Sequence, residues 1–173
     1  MKGASSVPTA TRGFDGGKKV NGRKRHIVVD TVGLILTVVV TAASVTDREA
    51  GQRLLTRLHE RHWRITRVWA DGGYTGQLVD FARSMLRIAL TVVKRNGDTT
   101  GFVVLPKRWL VERTFAWLMR SRRLGRDYES RTDSAEAIIL WSMSMVMSRR
   151  LAQRRRRTSP DAVLPAIHAR PGA

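Results

Sequence analysis

Seven consecutive residues in the first quarter of the chain, Leu34-Ile35-Leu36-Thr37-Val38-Val39-Val40, contain a single polar side chain. A strand with one wet face alternates apolar and polar residues, so a run this uniformly apolar and β-branched predicts a strand covered on both faces. Two covers require layers of structure on either side of a sheet. The preceding run, Arg25-His26-Ile27-Val28-Val29-Asp30, and the turn signal Thr31-Val32-Gly33 supply a hairpin partner for it.

The downstream pattern supplies the layers. Thr46-Asp47-Arg48-Glu49 has capping-box spacing, and Ala50, Leu54, Leu55 and Leu58 follow at helical intervals, which predicts a helix to about Arg61. The run Ile65-Thr66-Arg67-Val68-Trp69-Ala70 reads as a strand that delivers Asp71 into Gly72-Gly73-Tyr74. Leu78, Phe81, Ala82 and Met85 mark one face of a helix from about Gln77, and residues 89–93 form a short strand. Asn96-Gly97-Asp98 marks a loop, and Pro106 suits the first turn of a helix that carries Glu112 and ends near Gly125. Asp133-Ser134-Ala135-Glu136 caps a last helix over residues 137–151, apolar on most of its circumference and therefore expected to be buried, with Trp109, Trp117 and Trp141 as core anchors. This order predicts a mixed α/β layer structure. Three parts follow: residues 1–21 as a flexible basic arm, residues 22–151 as the folded domain, and residues 152–173 as a disordered Arg/Pro-rich tail.

Charge narrows the partner. The chain of 173 residues has 32 basic and 14 acidic side chains, a net charge of +18 and a pI near 11.7, so a polyanion such as DNA is the expected partner. Of the basic residues, 26 are arginine and 6 lysine; planar phosphate recognition and GC-rich codon usage both produce that skew. Cysteine is absent, which removes disulfides and thiolate metal sites. The longest apolar stretch, residues 34–43, falls short of the ~20 residues that span a bilayer, and the first residues lack the apolar core of a secretory signal, so a cytoplasmic, nucleoid-associated location is expected.

Asp71 and Glu112 are the candidate chemistry. The first ends a buried strand beside two glycines that let another backbone approach, and the second lies on a helix whose apolar stripe, Val111, Phe115 and Leu118, faces elsewhere. Two carboxylates on two rigid elements can hold divalent cations, which need hard oxygen ligands at short range. Arg108, four residues before Glu112, is placed to orient that carboxylate or to hold a phosphate. Lys18, Lys19, Arg23, Lys24 and Arg25 crowd one segment, and Arg113, Arg120 and Arg123 follow Glu112; both groups are candidates for DNA binding. The competing reading of the acids is a turn cap and a surface salt bridge. His59 and His62, one helical turn apart without a third ligand, read as surface residues.

Three stretches carry a family resemblance: Thr11-Arg12-Gly13-Phe14-Asp15-Gly16-Gly17-Lys18-Lys19-Val20-Asn21-Gly22-Arg23-Lys24-Arg25-His26, then Val68-Trp69-Ala70-Asp71-Gly72-Gly73-Tyr74, then residues 102–118 around Pro106-Lys107-Arg108-Trp109-Leu110-Val111-Glu112-Arg113. Over about residues 2–151 the chain resembles the catalytic domain of insertion-sequence transposases of the IS5 and IS4 kind, a DDE family with an RNase H-like fold. The resemblance implies that Asp71 and Glu112 are the second and third acids of the triad, with Mg2+ or Mn2+ as cofactor. It further implies the element's terminal inverted repeats and target DNA as substrates, with a homodimer or an upstream transposase half as protein partner. Arg108 and Glu112 match the family's Tyr, Arg, Glu, Lys signature, whereas Leu105 and Met119 stand at its Tyr and Lys positions. In the family the first acid ends a strand shortly before the segment that begins here at Met1. The resemblance therefore implies an incomplete RNase H-like mixed sheet flanked by helices, its first strand missing, in a truncated or frameshifted part of the enzyme. Asp15 and Asp30 are expected to be structural. The alternative is a non-catalytic DNA-binding or regulatory fragment of a transposase.

Overall fold

The computed structural model describes residues 2–3, 7–93 and 108–158. Four strands form one antiparallel sheet: β1 (Lys2–Gly3), β2 (Gly13–Asp15), β3 (Val20–Val29) and β4 (Ile35–Ala42). On one edge, β3 pairs with β2 through residues 20–22 and with β4 from Arg23 onward, while β1 takes the other edge at Gly22 and Arg23 only. A parallel pair, β5 (Arg67–Asp71) and β6 (Ala89–Val93), makes a second small sheet. Around these lie α1 (Asp47–Arg61), α2 (Gln77–Leu86), α3 (Arg108–Leu118), α4 (Arg122–Gly125) and α5 (Thr132–Thr158). The mixed α/β class is as the sequence predicts. No helix among the described residues is long and apolar enough to cross a membrane.

The β3–β4 hairpin forms where its turn chemistry dictates. Asp30 Oδ1 accepts the amides of Val32 (2.9 Å) and Leu34 (2.8 Å), and Gly33 adopts φ +83°, a conformation in which a side chain is strained. Residues 37–41 of β4 are all buried, because α1 and α5 pack against the strand. Val38 and Val40 join Leu118, Leu124, Ala135, Ile139 and Met143 in one apolar cluster. A second cluster, Leu55, Leu58, Val68, Leu78, Ala82, Leu86, Ile88 and Leu90, holds β5 and β6 against α1 and α2. Each fully buried aliphatic side chain contributes roughly 2 kcal/mol, enough to outweigh the weak propensity of short strands.

The outer edge of β4 ends in an ion pair where another strand would sit. Glu136 Oε1 accepts the Val40 amide at 2.9 Å, Arg57 Nη1 donates to the Val38 carbonyl at 3.2 Å, and the two side chains pair at 2.6 Å. Glu136 thus links α5, β4 and α1 and does not serve the cap of α5, whereas Thr46 does cap α1, accepting the Glu49 amide at 3.2 Å.

Several expectations are corrected. Within residues 1–21, Thr9–Thr11 form a 3-10 turn, Gly13–Asp15 form a strand and Val7 is buried, because Arg23 draws this segment onto the domain. Arg23 is 1% exposed: Nε donates to the Thr11 carbonyl (3.0 Å), Nη1 to that of Glu129 (2.8 Å) and Nη2 to that of Ser130 (2.8 Å), with Asp127 3.6 Å away. The α3 helix stops at Leu118 and a turn separates it from α4, so no single helix reaches Gly125. The α5 helix continues through Arg154–Arg157 to Thr158, since arginine is a good helix former and favours the negative end of the helix dipole. Only one side of α5 meets the sheet; Trp141 is 70% exposed, and Met145, Met147 and Leu151 are exposed with it. Trp109, 47% exposed, is likewise no core anchor. Asn96-Gly97-Asp98, Leu105, Pro106 and the tail from residue 159 lie outside the described residues.

Candidate metal and nucleic-acid site

A cavity of about 380 Å³ opens between β3 and β5, floored by apolar residues of α1 and α2 and closed on one side by α3. Asp71 and Glu112, from separate elements, both line it. Asp71 arrives at the carboxyl end of β5, where Gly72 donates its amide to Asp71 Oδ1 at 2.7 Å and Tyr74 donates its amide to the Asp71 carbonyl at 3.0 Å. The α3 helix is docked on the β3–β4 turn: Thr114 Oγ1 donates to the Gly33 carbonyl at 2.7 Å, and Arg113 Nη2 to that of Val32 at 2.9 Å. With Thr114 buried against the turn, Val111, Glu112 and Phe115 are left to face the cavity.

Asp47 is a third carboxylate on the cavity wall, and its role there was not drawn from the sequence, where it reads as part of a helix cap. It lies so near the Asp71 turn that a Cβ on Gly73 would stand 2.6 Å from Asp47 Oδ2. Asp47 is paired with Lys24 at 3.5 Å, and among the described residues no three His, Asp or Glu side chains gather closely enough to hold a metal by themselves. Asp71 and Glu112 fit a divalent cation in kind, because Mg2+ is usually held by one or two carboxylates while water and substrate phosphates complete its shell.

The Tyr74 side chain is wedged beside the cavity. A Cβ on Gly51 would meet Tyr74 Cδ1 at 2.8 Å and Leu78 Cδ2 at 2.6 Å, closer than carbon atoms pack. Gly51→Ala should therefore lose about 1 kcal/mol net in urea unfolding, the overpacking cost of roughly 2 kcal/mol exceeding the ~1 kcal/mol gain in helix propensity. His26 meets Tyr74 edge-on, its Nδ1 2.8 Å from the Tyr74 hydroxyl and its Nε2 3.1 Å from Thr41 Oγ1. Burial pushes the His26 pKa down from 6.5 to about 4 and raises that of Tyr74, so both are neutral near pH 7.

The basic candidates separate into two groups. Lys18 and Lys19 are exposed, Lys18 lining the cavity, and Arg120 is exposed beyond α3. Arg123 is largely exposed while paired with Glu129 at 2.8 Å, which raises its pKa. The others are engaged within the fold. Arg23 is buried as described, Lys24 bridges Asp15 (3.2 Å) and Asp47 (3.5 Å), and Arg25 is half-buried with its guanidinium on the Leu124 carbonyl at 3.1 Å. Burial lowers the Arg25 pKa. Arg113 is sandwiched between Trp109 (4.4 Å) and Trp117 (4.7 Å), with Arg150 over the far ring at 3.8 Å. Asp15 accepts the Lys18 amide at 3.0 Å, which with Lys24 lowers its pKa and marks it as structural. Arg108 opens α3, and its side chain lies outside the described residues.

The family described as Transposase DDE domain matches residues 2–147. A Burkholderia cepacia protein with the description of a transposase for insertion sequence element IS402 is 34% identical over 119 residues, 65% of this chain and 56% of that protein. The chain thus spans little more than half the length of the curated relative it matches. No solved structure matches the chain. With the family pattern running through nearly all of the described residues, Asp71 and Glu112 among them, the chain belongs to the DDE transposase-domain family.

Proposed function

We propose that this chain is the portion of an insertion-sequence transposase that carries the second and third acids of the catalytic triad, Asp71 and Glu112, and that it acts on DNA in the cytoplasm. The observation behind this reading is that the two carboxylates, 41 positions apart in sequence, line one cavity. They would hold Mg2+ or Mn2+, which when bound supplies charge neutralisation at a scissile phosphate and an activated oxygen nucleophile. Around it, Lys18, Lys19, Arg120, Arg123 and Arg108 are proposed to seat the phosphates of the element's terminal inverted repeats and of target DNA. A homodimer or an upstream transposase half is the proposed protein partner.

The finer fold reading, an RNase H-like mixed sheet short of one strand, draws support from the sheet edges. The Val40 amide and Val38 carbonyl point away from β3 toward Glu136 and Arg57. Their antiparallel partners Arg25 and Ile27 must then turn their own amides and carbonyls to the opposite edge, which pairs with no strand from Lys24 onward among the described residues. The edge of β5 away from β6 has no strand partner among the described residues either, and the cavity lies between the two edges. A protein missing the strand that would carry the first acid should not cleave by itself. Incubated with Mg2+ and terminal-repeat DNA, the purified chain is expected to give no product, and magnesium-dependent nicking would sink the missing-strand reading.

Mn2+ binding followed by water-proton relaxation tests the site. Asp71→Ala and Glu112→Ala should each weaken Mn2+ by tenfold or more, at least the ~10-fold typical of losing an outer-shell partner. Both variants should bind duplex DNA within about twofold of the parent, since the salt-dependent phosphate contacts remain. Unchanged Mn2+ affinity in both variants would refute the metal site and favour the alternative, a non-catalytic DNA-binding fragment, for which it speaks that no three acidic or histidine side chains gather at metal-binding range among the described residues.

A further inference from the structure

We infer that His26 is a positioning residue: its hydrogen bond to the Tyr74 hydroxyl ties the turn that carries Asp71 to β3 across the cavity. The functional weight of Asp71 rests on the metal site proposed above, whereas the tie itself stands on geometry. The turn Asp71-Gly72-Gly73-Tyr74 contains two exposed glycines, and a short glycine turn has many accessible conformations. One end of it is fixed by β5. The other end is held by Tyr74, whose ring fills the space left by Gly51 and whose hydroxyl lies 2.8 Å from His26 Nδ1. His26 is itself held: it is buried in β3, and its second nitrogen lies 3.1 Å from Thr41 Oγ1, a buried hydroxyl on β4. The line Thr41, His26, Tyr74 thus runs from the end of β4, across β3, to the loop after β5. Neutral imidazole serves both neighbours with one donor and one acceptor, which lysine or a carboxylate cannot do. The Tyr74 ring without its hydroxyl would still fill the space beside Gly51, so the position of the turn, more than overall stability, depends on the polar contact.

Amide hydrogen exchange on the full chain tests this. Tyr74→Phe keeps the ring and removes the hydroxyl; it should speed exchange of the Tyr74 amide, which donates to the Asp71 carbonyl, about fivefold, the weight of one net hydrogen bond, and leave amides of α1 unchanged. His26→Leu should do the same, the double variant should add nothing further, and His26→Gln, which offers both a donor and an acceptor, should restore slow exchange. A Tyr74 amide within twofold of the parent rate in Tyr74→Phe would overturn the inference, as would an equal rise across α1, which signals general loosening. Mn2+ affinity measured in parallel should fall in Tyr74→Phe. If the parent chain binds no Mn2+, the metal-site reading fails while the exchange result still decides the role of His26.

Discussion

Arg23→Ala is expected to cost about 3–5 kcal/mol of unfolding free energy in urea, a large part of the roughly 10 kcal/mol that holds a domain of this size. The loss has two sources. Asp127, 2% exposed, would keep its place in the interior without the cation beside it, and the carbonyls of Thr11, Glu129 and Ser130 would lose their common donor. Arg23→Lys should recover less than half of the loss, because one ammonium cannot reach groups arrayed around a planar fork. The described part of the segment before β2 should detach first, seen as fast exchange at the Arg12 amide, which donates to the Thr9 carbonyl. A change below 1 kcal/mol would show that the buried pair contributes nothing net.

Acid should destabilise the chain through His26 by up to about 3 kcal/mol. Its pKa is about 4 in the fold against 6.5 in an unfolded chain, so below pH 6.5 the unfolded state takes up a proton that the folded state refuses. The stability conferred by keeping His26 neutral is complete above pH 6.5 and is lost progressively as the pH falls to 4. Between pH 7.5 and 5.5 the expected loss is about 1.4 kcal/mol. Carboxylates titrate lower and contribute beneath this window, so the signature is the difference between the parent and His26→Gln from pH 7 to 5. Parallel curves for the two proteins would show that the imidazole gains its proton as readily in the fold as outside it.

Much of the fold was legible because its signals are local. The uniform apolarity of residues 34–40 foretold a strand covered on both faces, and the covers are α1 and α5. The Thr46 cap, the Asp30 turn and the β5 run ending at Asp71 each rest on neighbours within a few positions. What escaped the sequence depends on partners far along the chain. Arg23 sits among Lys18, Lys19, Lys24 and Arg25, and nothing in that cluster distinguishes the one whose partners lie more than a hundred residues away. Glu136 fits a capping box by spacing, yet the edge of β4 that faces away from β3 claims its carboxylate. The uniform apolarity of α5 gave no sign of which side the sheet would leave open, since a periodicity argument needs a polar face to find the apolar one. At the site, Asp71 and Glu112 stood out by their settings, whereas Asp47 and the His26–Tyr74 contact did not, because only the packing of α1 against the turn brings them there.

The Arg23 contacts also set an order of events in synthesis. The carbonyls of Glu129 and Ser130 that receive this guanidinium are made 106 and 107 residues after it. At ~5–20 residues per second a ribosome needs roughly 5–20 s to cover that distance. Through that interval β2 and β3 have their hairpin contacts but not their anchor, and an arginine destined for the interior stays in water with its charge exposed. Native closure of this corner is therefore a late, non-local step, and any interruption of translation before Ser130 leaves a nascent chain whose amino-terminal strands remain open to proteases and chaperones.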